Sequence, residues 1–133
     1  MEWDFVGRKE LSFSWLEVRA GFVGKDVLAC IEGGEAPHIG CAVLAVPRLS
    51  LTGDGSMSAT SSVLNVTGHK DEALCRAFAE TISKTLGVTA ACTGGFHMDG
   101  ILPEQIKEVA GALNGLAKEA ALSLALYRKK EEI

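Results

Sequence analysis

The sequence predicts an α+β domain: a mostly antiparallel sheet of about five strands with two helices packed on one face, in the order β-β-β-β-α-β-α. Three observations carry this. Up to residue 66 the chain alternates short apolar runs with glycine-bearing turns, as hairpins do. Two later stretches, residues 74–86 and 103–129, repeat their apolar side chains at helical spacing. Between them, residues 88–93 are too short and too evenly apolar for another helix. No internal repeat or linker divides the chain, so residues 1–133 are expected to fold as a single domain.

Residues 10–20 alternate, with Leu11, Phe13, Trp15 and Glu17 on one side and Ser12, Ser14, Leu16 and Val18 on the other, and are read as the first strand. Residues 21–24 make the turn. Residues 26–32 are nearly all apolar and form an interior strand antiparallel to the first. Residues 33–40, GGEAPHIG, form a loop in which Pro37 fixes one dihedral and His38 is held between glycines. Residues 41–46 are the third strand. Thr52 to Gly55 tip a hairpin whose Ser/Thr-rich return arm, residues 60–66, is expected to be solvated. Leu74, Phe78, Ile82 and Leu86, flanked by Ala73 and Ala77, give the first helix one apolar side, while Arg76, Glu80 and Lys84 face water. Gly87 supplies the left-handed residue that stops it. The buried strand 88–93 ends in a second glycine loop, Gly94-Gly95-Phe96-His97. Pro103 and Glu104 suit a helix start, and Ile106, Val109, Leu113, Leu116, Ala120, Leu124 and Tyr127 make the stripe of the last helix. Gly111 and Gly115 weaken that helix by about 2 kcal/mol together, so they are expected to serve close packing against the sheet or a partner subunit.

A net charge of −4 without a basic cluster argues against nucleic acid and against an anionic membrane surface. No apolar run approaches the roughly 20 residues of a membrane span, and the opening residues lack the basic and apolar regions of a secretory signal. A cytoplasmic protein is expected. Cys30, Cys41, Cys75 and Cys92 form no CxxC pair and each lies in an apolar run, which reads as four reduced, buried thiols. With 47% hydrophobic residues in so small a chain, a homo-oligomer, most simply a dimer, is expected.

His38, His69 and His97 are the chain's 3 histidines, and all are expected in glycine-flanked loops. Three imidazoles would suit an open divalent-metal site with water in the remaining position, although their spacing is no local ligand signature. An anion site is the competing reading. Gly68, His69, Lys70 and Asp71 open the first helix, where free backbone N–H groups, the positive dipole end and a lysine suit a phosphate. The Gly33-Gly34 and Gly94-Gly95 pairs would bring further backbone N–H groups close to a ligand, while Gly40 lets the chain re-enter a strand. Asp71 and Asp99 read more simply as a first-turn charge and a turn residue than as acid catalysts, and no G-x-S-x-G motif is present.

GGEAPHIG at residues 33–40, HKD at residues 69–71 and GGFHMDGILPEQI at residues 94–106 resemble the small, LpdD-like D-subunit proteins of prenylated-flavin-dependent aromatic acid decarboxylases, of the gallate and hydroxybenzoate type. These are described as prenylated-flavin chaperone-like proteins. The resemblance spans residues 28–106, keeps the order of its motifs and includes all three histidines. It implies a non-enzymatic accessory protein that binds prenylated flavin mononucleotide, or FMN, and helps install it in a partner decarboxylase. His38, Gly40, Gly68, His69, Lys70, Asp71, Gly94, Gly95 and His97 would then form the cofactor site, with Phe96 either stacking on the flavin or sitting in the core. A small metal-dependent enzyme built on His38, His69 and His97, and a purely structural decarboxylase subunit, are the alternatives.

Overall fold

The computed structural model describes residues 2–66 and 71–132. Within them the chain runs β1 (Phe5–Glu10), β2 (Trp15–Val23), β3 (Asp26–Gly34), β4 (Cys41–Leu49), β5 (Met57–Asn65), α1 (Glu72–Leu86), β6 (Ala90–His97) and α2 (Pro103–Glu131). The strands form one sheet in the order β1-β2-β3-β6-β4-β5, antiparallel throughout except for the parallel β3–β6 pair. The fold class is the α+β arrangement expected, with one strand more at the start.

That extra strand corrects the reading of residues 10–20. The Leu11 N–H donates to Ser14 O at 2.8 Å, so the chain reverses there and β2 begins only at Trp15. β1 was missed because FVGRKE carries a charge or a glycine at four of its six positions. As an edge strand it needs apolar contact on one side only. The expected turn at 21–24 shrinks likewise: Gly21 lies inside β2, and Gly24, at φ 61°, takes the tight position.

Leu16, Val18 and Ala20 on β2, Val27, Ala29 and Ile31 on β3, Cys41, Val43 and Ala45 on β4, and Ala90 and Cys92 on β6 are all buried on one face. Both helices cover that face. α1 lies over β4, β5 and β6 and buries Cys75, Phe78, Ile82 and Leu86. Gly87, at φ 70°, ends it with its N–H on Ser83 O. α2 crosses β1 and β2 and packs against α1 through Val109, Leu113, Leu116, Ala120 and Leu124. The expected stripe is too long at both ends, since Ile106 and Tyr127 remain 53% and 43% exposed. Gly111 and Gly115 correct a second expectation. A methyl group at either would meet no atom within 4 Å, so neither glycine brings α2 close to the sheet. Among the described residues no helix is long and apolar enough to cross a membrane.

The topology also decides what meets at one end of the sheet. Because β3 and β6 run parallel, both finish at the same end, where antiparallel β4 begins and β5 finishes with Asn65 opposite Cys41. α1 starts at that end too, packed on β4 and β6.

Candidate functional site

Asp71 occupies the N-cap position of α1, yet its carboxylate makes no capping bond to its own helix. It reaches across to the sheet instead. Oδ1 accepts the Phe96 N–H of β6 at 2.9 Å, and Oδ2 lies 2.8 Å from His38 Nε2. Asp71 is only 5% exposed, and an ionised carboxylate at that depth requires such partners. The simpler sequence reading of Asp71 as a first-turn charge therefore gives way to a tie between α1, β6 and the 35–40 loop.

His38 is fixed from both sides. Its Nδ1 lies 3.0 Å from the Ala36 carbonyl, which can only accept, so Nδ1 carries a proton. Nε2 faces a carboxylate oxygen, and two bare lone pairs at 2.8 Å would repel. A proton on Nε2 as well, making His38 an imidazolium against the Asp71 carboxylate, satisfies both contacts. The Ala36 carbonyl contributes most to raising the His38 pKa above its ordinary value; burial works against it and Asp71 adds to it.

The expected glycine loop at 94–97 is instead the end of β6, and its glycines are there for space. Gly94, at φ 136°, lies so close to β3 that any side chain would collide with the Ile31 carbonyl. A methyl on Gly95 would come within 2.6 Å of His38 Nε2, and one on Gly40 would collide with Asp71 Oδ2. Both glycines leave room for the His38–Asp71 pair. His97 closes β6 with its ring 6.2 Å from that of His38, at 81°, and its Nε2 is 2.9 Å from Asp99 Oδ1. His38, Asp71, His97 and Gly40, Gly94 and Gly95 thus gather at one end of the sheet. Gly68, His69 and Lys70 lie outside the described residues.

His38, Asp71 and His97 border a cavity of about 440 Å³ on the helix side of the sheet. His38, Asp71 and His97 are its polar wall; Leu74, Phe96, Met98, Ile101, Ile106 and Val109, with Ala73 and Ala110, form the apolar one. Its size lies within the range of small-molecule sites. Phe96 stands edge-on to Phe13 at 6.1 Å, so its ring serves the cavity wall and the packing at once. The aliphatic lining went unnoticed in the sequence because helical periodicity does not separate a cavity-lining isoleucine from a core one. Among the described residues no group of three or more His, Cys, Asp and Glu side chains is placed to hold a metal ion. In the observed arrangement both ring nitrogens of His38 already face hydrogen-bond acceptors, and a metal ligand needs a lone pair.

All four cysteines are free. Cys41, Cys75 and Cys92 are buried beneath the site, where burial pushes the Cys41 thiol up to about 12 and the contact with Cys92, then burial, raises that of Cys75. Burial of this kind makes the Cys41 and Cys75 thiols poor nucleophiles.

Fold and cavity together define a small α+β protein with a mainly apolar cavity beside a His–Asp pair whose carboxylate is buried. The chain belongs to the prenylated flavin chaperone LpdD-like family, whose model matches residues 13–125 and so covers nearly the whole sheet and both helices. It is thus a chaperone-like protein associated with prenylated flavin. No curated protein matches it. Among solved structures, a chain of a chaperone complex for yeast 20S proteasome assembly aligns over 89% of this chain and 93% of its own, at 18% identity and a TM-score of 0.46. A likeness that distant carries nothing about function.

Proposed function

We propose that the cavity receives the ring system of prenylated flavin mononucleotide, which this chain holds and passes to a partner aromatic acid decarboxylase. The observation that carries the reading is the cavity's construction: about 440 Å³ of mainly aliphatic wall, one aromatic ring, and a proton-bearing His38–Asp71 pair on one side. A flat, largely apolar heterocycle needs such a wall, and its ring nitrogens and carbonyls need a few fixed polar groups. His38 and His97 supply those groups. Among the described residues lining the cavity there is no Lys or Arg to meet the phosphate. We assign it to Gly68, His69 and Lys70, the stretch that the sequence reads as an anion site and that directly precedes Asp71.

A holding role fits the chemistry of the wall. The pair positions a proton at His38 and keeps the 35–40 loop against α1, which orients a ligand without making or breaking its bonds. A three-histidine metal site is the weaker reading, since it requires His38 to abandon either Ala36 or Asp71.

Titration of the purified chain with prenylated FMN and with FMN, followed by flavin fluorescence, tests the proposal. Saturable binding is expected, with His38→Ala and Asp71→Asn at least about tenfold weaker, the loss of one charged hydrogen bond. Ala110→Trp introduces a bulky ring from an exposed helical position on the cavity wall and is expected to abolish binding while the circular dichroism stays unchanged. Unaltered affinity in that variant would place the flavin elsewhere. Co-expression of the same variants with a partner decarboxylase, scored by the cofactor content of the purified enzyme, reads out delivery.

A further inference from the structure

Both helices cover one face of the sheet, and no element of the described chain covers the other. We propose that this open face is the interface of a symmetric dimer, two copies stacking sheet on sheet with the β6–β4–β5 half of one against the same half of the other. The register shows what that half presents. Ala42 lies between Thr93 and Leu64, Leu44 between Ala91 and Ser62, and Val46 opposite Thr60. Leu44, Val46 and Leu64 are 46%, 47% and 78% exposed, and the half is uncharged until Arg48 near its end. Three large aliphatic side chains on one bare sheet face are a patch of the kind that marks an interaction site.

The distribution of charge says what kind of partner fits. The charges lie on the β1–β3 half and are largely neutralised within the chain: Arg19 pairs with Glu17 and, at 2.6 Å, with Glu32, while Arg8 pairs with Glu10 at 2.7 Å and lies 4.5 Å above the Trp15 ring. Such a face offers no strong field of one sign to an acidic or basic partner. It is complementary to itself. A twofold axis between the sheets and across the strands sets each strand on its own image, so the aliphatic half meets the aliphatic half and the internally paired charges of β1–β3 meet a surface neutralised in the same way. The area agrees as well. Six strands about 4.8 Å apart, rising about 3.3 Å per residue, present a face of roughly 800 Å², the contribution of each partner to a standard stable interface. Aligned sheets packed in this way are the ordinary sandwich arrangement.

Light scattering on the purified full chain at micromolar concentration is expected to give twice the 14.0 kDa of the monomer. Leu44→Glu sets two carboxylates against each other near the axis and is expected to return the mass to 14.0 kDa with unchanged circular dichroism. Leu64→Glu, at a more exposed position, is the second variant should the first not fold. Mixing Leu44→Glu with Leu44→Lys is expected to restore the dimer. A wild-type mass of 14.0 kDa at every concentration overturns the proposal and leaves the face to a different protein. A dimer that survives both glutamates overturns it too, and places the contact at another surface such as the exposed β5 edge.

Discussion

His38 shows how much a single side chain gains from its two neighbours. With Ala36 O on one nitrogen and Asp71 on the other, it keeps its proton to higher pH than a free imidazole. An NMR titration is expected to place its midpoint above 6.5, and that of Asp71→Asn below the wild-type value. The stability consequence follows from the sign. A group more basic in the folded than in the unfolded state contributes fully below the unfolded pKa, near 6.5, and loses that contribution as pH rises through the folded value. Denaturation at graded pH is expected to show this slope in the wild type and not in His38→Gln. Gly94 is the other residue whose identity is dictated, by φ 136° and by the Ile31 carbonyl beside it. Gly94→Ala is expected to cost about 2 kcal/mol in urea denaturation, as strained backbone positions do.

At the scale of the element, each helix carries one residue that its own packing does not need. Ser83 lies fully buried in α1, and its hydroxyl has no hydrogen-bond partner among the described residues. A buried, unpaired hydroxyl costs about 1–3 kcal/mol, so Ser83→Ala is expected to raise the melting temperature. In α2, Gly111 is exposed with nothing close to it. Gly111→Ala is expected to stabilise the monomer fold by about 1 kcal/mol, the difference in helix propensity. Loss of stability there would show that a partner does approach α2 closely, as its sequence suggested.

For the whole molecule, the core between sheet and helices is a single layer, and the thiols report on it together. Cys41 and Cys92 sit in the sheet, Cys75 faces them from α1, and Cys30 points to the opposite face, half-buried. Thiol titration of the native chain is expected to modify at most Cys30 quickly, and titration in denaturant all four. A second rapidly reacting thiol in the native state would mean that α1 lifts from the sheet. Much of this layer was readable in advance. Leu74, Phe78, Ile82 and Leu86 announced α1, and Gly87 its end, because helical period and a left-handed stop are local properties. The site was less so. His38 and Asp71 lie 33 residues apart, and their hydrogen bond depends on how β4 and β6 pair, which neither segment encodes alone.

The class of the fold, the β2–β3 and β4–β5 hairpins, both helices and the three polar segments were all legible in the residues, since they follow from periodicities of two or 3.6 residues and from glycine and proline chemistry. The tertiary structure alone decided that β6 inserts between β3 and β4 and runs parallel to β3. That one placement brings the ends of β3 and β6 to the start of β4 and turns Asp71 from a helix-opening charge into the partner of His38. It also makes Gly40 and Gly95 space for the His38–Asp71 pair instead of loop flexibility. The physical reason is that strand pairing is a contact between distant segments: an apolar run such as 88–93 states that it will be buried, and the competition among all strands for neighbours states where.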